Sequence, residues 1–255
     1  MQGDSPKART TGAREVSTNQ EDIYKDLEKV VRKYALSSYL RPIADHTRTA
    51  FAEAVKFIEK FYSGTAYKVI LDSGCGTGES TVNLALAHPD IPVIGIDKSA
   101  VRLAKAGNEH QLTNARQAPA PNDATLPANA FWVRAELLDF WRLALDEVKA
   151  GRWIIPYHAL YYPNPWPKQS AATRRFHLHP IFPTLLSLGE TTELRTNWEI
   201  YAREFAEAAR ITMETSGAAN AKISIESFSP NAPITAFERK YNEARQQLWR
   251  VVIKQ

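Results

Sequence analysis

Asp72-Ser73-Gly74-Cys75-Gly76-Thr77-Gly78-Glu79-Ser80 follows the apolar run Val69-Ile70-Leu71, so a glycine-rich turn leaves a buried strand and enters a helix. Glycines at alternate positions let bare backbone bend sharply and approach a ligand where a Cβ would collide. The G-x-G-x-G spacing differs from the G-x-G-x-x-G of dinucleotide-binding turns, and no lysine closes the loop as in phosphate-binding NTPases. Asp97 ends the next apolar run, Val93-Ile94-Gly95-Ile96, where a carboxylate can accept both hydroxyls of a ribose. Loop and acid together suit an adenosine whose neighbouring group carries no phosphate. The plainer reading is a glycine turn that only packs strand on helix. The second acid, arriving at the expected strand end, weighs against it.

A second segment, Tyr161-Tyr162-Pro163-Asn164-Pro165-Trp166-Pro167-Lys168, stands at the end of a later apolar run. Ligands of open α/β sheets bind outside the carboxyl ends of the strands, which aims this segment at the same crevice. Its prolines hold the chain extended, and Asn164 offers both an acceptor and a donor there. Lys168, Arg174, Arg175, His177 and His179 form a short cationic run just beyond it, suited to grip phosphates beside a target nucleotide. A solvated helix start is the alternative for that run. The two histidines lack the cysteines or acids of a metal site, and none is expected. Trp166 is the one tryptophan placed to stack on a base, while 132, 141, 153, 198 and 249 read as core.

The elements that position these residues follow from periodicity. Ile23, Leu27, Val30, Val31 and Tyr34 recur at helical spacing, as do Phe51, Val55, Ile58 and Phe61 after Pro42, so two helices precede the first strand. Strand-like runs are predicted at Lys68 to Asp72, Pro92 to Asp97, Phe131 to Ala135, His158 to Tyr162, Thr192 to Thr196, Lys222 to Phe228 and Leu248 to Ile253. Helical periods separate most of them, the alternation of an α/β, mostly parallel seven-stranded sheet with helices on both faces. The last two runs show no helix between them, which predicts a C-terminal antiparallel edge. Residues 107 to 130, rich in Ala, Asn, Pro and Gln, read as a mobile surface insertion.

The 255 residues, 44% hydrophobic, suffice for one large core. The division expected is a disordered tail over 1–20, a helical extension over 21–62 and one α/β domain over 63–255. No run is apolar and long enough to span a membrane, the start lacks a signal-peptide centre, and the single Cys75 forms no internal disulfide, so a cytoplasmic protein is expected. A net charge of +4 permits a nucleic-acid partner without demanding one.

The glycine loop resembles the S-adenosylmethionine (SAM) site of Rossmann-like methyltransferases. Y-Y-P-N-P-W-P-K, then Arg174-Arg175 and Pro180, L-R-T-N-W-E-I-Y from Leu194, and T-A-F-E-R-K from Thr235 together resemble the bacterial tRNA (guanine-N7) methyltransferases in order and approximate spacing. The resemblance implies SAM as cofactor and tRNA as partner. It implies cofactor contacts at Asp72, Gly74, Gly76, Gly78, Asp97 and Glu136. The catalytic position falls on Asn164, and substrate contacts fall on Lys168, Arg174, Arg175, Asn197, Thr235 and Glu238. Amides stand at 164 and 197 where the resemblance leads one to expect carboxylates, which should weaken or redirect base selection. Two other readings stay open: transfer to another nitrogen acceptor, because Asn164-Pro165-Trp166 also resembles the N-P-P-aromatic loop of amino-methylating enzymes, and a non-catalytic RNA-binding relative.

Overall fold

A computed structural model of the chain describes residues 13, 15–62, 64, 66–106, 115–116, 126–218 and 221–255. Helices α1 (Leu27–Ala35) and α2 (Asp45–Phe61) precede β1 (Tyr67–Ser73), α3 (Glu79–Ala87), β2 (Val93–Asp97) and the short α4 (Ala100–Leu103). Next come the two-residue β3 (Ala115–Arg116), β4 (Ala130–Arg134), α5 (Leu137–Lys149) and β5 (Trp153–Tyr161). Two 3-10 turns, Gln169–Arg174 and Phe176–Leu178, lead to α6 (Phe182–Leu186), β6 (Thr191–Thr196), α7 (Glu199–Ser216), β7 (Lys222–Phe228), α8 (Ala236–Glu243) and β8 (Leu248–Lys254).

The strands form one sheet in the order β3-β4-β2-β1-β5-β6-β8-β7. The five from β4 to β6 are parallel, and β8 runs against both β6 and β7. The mostly parallel sheet with an antiparallel edge is therefore present. It carries one strand more than the seven expected, because β3, inside the proposed insertion, pairs antiparallel with β4. The rest of that insertion, 107–114 and 117–125, lies outside the described residues, as do 1–12 and 14 of the expected tail.

Every residue of β2 and the last five of β1 are buried, which is why both read as continuous apolar runs: a central parallel strand is covered on both faces. Gly95 in β2 is demanded by that packing, since a Cβ there would lie 2.4 Å from Thr81 Oγ1. The chain runs from β1 outward to β2 and β4, then returns through α5 to β5 on the other side of β1. This reversal opens a crevice at the carboxyl ends of the central strands.

Two expectations are corrected. β5 starts at Trp153, five residues before the predicted run, and the register places Ile155 and Pro156 opposite the single Val69. Pro156 thus sits at a bulge, where its missing N–H breaks no ladder bond. A helix, α8, does separate the last two runs. Its eight residues hold only Ala236, Phe237 and Tyr241 as apolar positions, a stretch shorter than the window over which a helical period stands out, and Glu238 is its one buried residue. At the end of the N-terminal segment, Gln20 is buried and Val16 packs against the main core.

Candidate functional site

Leaving β1, the chain turns through Gly74, Gly76 and Gly78 with φ of 77°, 59° and 81°. Such left-handed angles favour glycine. Space also requires Gly78, because a Cβ there would lie 2.4 Å from Trp132 Nε1. Gly74 N–H and Cys75 N–H both donate to Ile96 O, at 2.7 and 3.1 Å, and Gly76 N–H donates to Asp97 Oδ2 at 3.1 Å, so the loop hangs from the end of β2. Beneath it, Asp72 Oδ2 accepts from the hydroxyls of Ser80 and Thr81, both at 2.6 Å, holding the start of α3. Asp72 Oδ1 is buried with no hydrogen-bond partner among the described residues, and burial pushes this carboxyl up to about 6.

Asp97 is buried and shares its oxygens among Ser99 N–H at 2.7 Å, Gly76 N–H and Arg102 Nη1 at 3.3 Å. Together with Gly74, Glu136 and Leu137 it lines a cleft of about 310 Å³ that extends to Tyr161, Tyr162, Asn164 and Trp166. The glycine loop and the proline-rich segment thus meet at one crevice. A second cleft of about 250 Å³ shares Gly74, Arg102, Tyr161 and Tyr162 with the first and continues past Thr235 to Phe237 and Lys240. Phe237 is 48% exposed there, its ring stacked on Tyr241 at 6.1 Å between centroids.

The proline-rich segment is bent at two bulky residues. Tyr162 has φ 51° and Trp166 φ 45°, left-handed conformations that a β-carbon disfavours and that persist only where surroundings over-determine them. Tyr162 is held by its hydroxyl, which donates to Glu238 Oε2 at 3.2 Å, and Trp166 by its N–H, which donates to Asn164 Oδ1 at 3.3 Å. Since a backbone N–H can only donate, the Asn164 carbonyl is engaged and its Nδ2 hydrogens stay available. Arg174, exposed, lies 4.8 Å above the Trp166 ring and lines the first cleft, and Lys168 is exposed on the same segment.

Several residues expected at the substrate are placed elsewhere. Arg175 has no exposed surface. Its Nη1 pairs with Glu204 at 2.6 Å, so it cannot grip phosphate, and His177, equally buried, bonds Glu204 through Nε2 at 2.8 Å. Burial pulls His177 below its ordinary value, which removes it from the expected cationic run. Glu238 is buried and receives Arg195 Nη1 at 3.0 Å as well as the Tyr162 hydroxyl, so it braces the cleft wall and does not face a base. Thr235 caps α8, accepting from Glu238 N–H at 2.9 Å, and lines the second cleft. Asn197 donates to Gln246 Oε1 at 2.9 Å and lines neither cleft. Tyr162, Arg102 and Phe237 border the clefts without having been singled out. The exposed aromatic of T-A-F-E-R-K was the available signal for Phe237.

A family described as a methyltransferase domain matches residues 65–118. The chain is 30% identical over 145 residues to a tRNA (guanine-N(7)-)-methyltransferase of Streptomyces coelicolor, covering 55% of this chain and 47% of that protein. It is 25% identical over 194 residues to the protein of that name from Thermotoga maritima, covering 75% and 55%. The chain thus spans about half the length of these curated relatives. The solved structure of the 16S rRNA methyltransferase KamB superposes with a TM-score of 0.50 at 15% identity, covering 85% of this chain and 96% of that one, a likeness of fold.

Proposed function

We infer that this chain, a Rossmann-like methyltransferase fold similar in sequence to tRNA (guanine-N7) methyltransferases, transfers a methyl group from SAM to N7 of a guanine in tRNA. The observation that carries the reading is the meeting of the two clefts at Gly74, Arg102, Tyr161 and Tyr162, with Asn164 lining the first of them.

The residues present fit the cofactor. The glycine turn exposes bare backbone, Asp97 stands where a ribose would be held, and Leu137 and Leu138 give an apolar wall for an adenine. The unpartnered Oδ1 of Asp72 leaves an acceptor for a cationic donor. When bound, SAM would supply an electrophilic methyl on a sulfonium. Guanine N7 attacks through an in-plane lone pair and loses no proton, so the protein needs placement and no general base. Asn164 supplies that placement: with its carbonyl held by Trp166, its amide donates to the guanine O6 beside N7. Phe237 offers a face on which the base stacks, and Arg174 and Lys168 take flanking phosphates.

Incubation with methyl-labelled SAM and total tRNA, followed by nucleoside mass spectrometry, tests this. Label in 7-methylguanosine is expected. Label in another nucleoside would move the acceptor to a different nitrogen, and none in any RNA would sink the reading.

A further inference from the structure

Between α7, the 3-10 turns and the N-terminal segment lies a buried polar centre with no part in the chemistry assigned above. Glu204 receives four donors: Gln20 Nε2 at 2.6 Å and Tyr24 N–H at 2.7 Å on Oε1, Arg175 Nη1 at 2.6 Å and His177 Nε2 at 2.8 Å on Oε2. Burial alone would raise this carboxyl, but His177 and Arg175 hold it down to about 2, so it is ionised. The Arg175 guanidinium faces the ring of Trp198 at 4.8 Å and donates to Gln20 Oε1 at 2.9 Å.

Two more of its hydrogens go to the proline-rich segment. Nε donates to Pro165 O at 3.2 Å and Nη2 to Trp166 O at 2.9 Å. Trp166, left-handed at φ 45°, thus has its carbonyl held by Arg175, its N–H by Asn164 and its ring beneath Arg174. The N-terminal segment closes on the same stretch: Thr18 Oγ1 donates to Pro167 O at 2.7 Å, and Asn19 Oδ1 accepts from Gln169 N–H at 3.4 Å. A buried ion pair is weak evidence for stability, since apolar residues of equal volume commonly serve as well. A planar fork that grips two successive carbonyls does what no apolar group can.

We propose that Arg175, oriented by Glu204 and Gln20, is the positioning residue of the acceptor loop, and that docking of residues 18–20 completes the geometry in which Asn164 meets its substrate. The chain of contact runs Glu204, Arg175, Trp166, Asn164. Arg175 touches neither substrate nor cofactor. The inference rests on the proposed methyl transfer for its catalytic consequence but not for the ordering of the loop.

Gln20→Ala is the primary variant because it leaves the Arg175–Glu204 pair intact, and Arg175→Lys, which keeps charge without the fork, is the second. Each is compared with the parent in amide hydrogen exchange, in SAM binding by calorimetry, and in kcat and KM for methyl transfer to tRNA. Losing the hydrogen bonds of Gln20 to Glu204 and Arg175, or the guanidinium fork itself, should speed exchange across residues 162–170 and lower kcat, each by roughly tenfold. Exchange in β1 and SAM affinity should not change. A Gln20→Ala protein whose 162–170 exchange matches the parent, or rises equally in β1, overturns the proposal. So does a loosened loop with unaltered kcat. If the parent itself transfers no methyl to RNA, the functional reading fails, while the exchange result still decides whether Arg175 and Gln20 order the loop.

Discussion

Asp72→Asn separates two effects of one buried carboxyl: its cost to the unliganded protein and its proposed part in binding cofactor. The carboxyl is fully buried, receives only two hydroxyl donors on one oxygen, and is pushed from its usual 3.8 to about 6. A folded-state value above the unfolded one means that the native chain holds the proton more tightly. The associated stability is complete below pH ~4 and is lost as pH rises through about 6. A displacement of that size corresponds to at most ~3 kcal/mol at 1.36 kcal/mol per unit. Asparagine has the same shape, can accept both hydroxyls through its carbonyl, and never ionises. The variant should therefore match the parent in stability near pH 4 and exceed it by ~1–3 kcal/mol at pH 7.5, raising the melting temperature by several degrees. It should also bind SAM more weakly, because the anionic acceptor offered to a cationic donor is gone. Urea unfolding at both pH values and calorimetric titration of SAM check this. A variant destabilised equally at both pH values, or a stability difference that does not grow with pH, would refute the electrostatic argument.

Asp97→Ala should cost about 1–3 kcal/mol of SAM affinity by leaving a ribose edge unpaired, and unchanged calorimetric binding would remove Asp97 from the site. Asn164→Asp replaces the amide donor by an acceptor, so kcat/KM on tRNA should fall about tenfold with SAM affinity unaltered; a faster variant would show that the guanine is read through its N1 and N2 donors. Arg174→Ala should weaken tRNA binding and reduce the salt slope by about one ion, with folding stability changed by no more than about 0.5 kcal/mol. Titration at several salt concentrations decides, and an unchanged slope would place Arg174 on an ordinary solvated face.

The glycine turn, Asp97 and six of the seven predicted runs were legible because their signals are local: period-two or continuous apolar patterning, and glycines where the backbone must turn left-handed. β5 was legible only in its second half, since Pro156 reads as a break unless the bulge opposite Val69 is known. What tertiary structure decided was which polar groups face inward. Arg174 and Arg175 are neighbours of the same type, yet one lies over Trp166 in the open and the other is enclosed by Glu204, Gln20 and Trp198. Glu238 likewise turns to Arg195 and Tyr162, and Asn197 to Gln246. For Arg175, Glu238 and Asn197 these partners lie more than twenty residues away, and no local pattern records them. A buried charge persists only where such a partner meets it, so its role is set by the packing of distant elements and not by its own position in the chain.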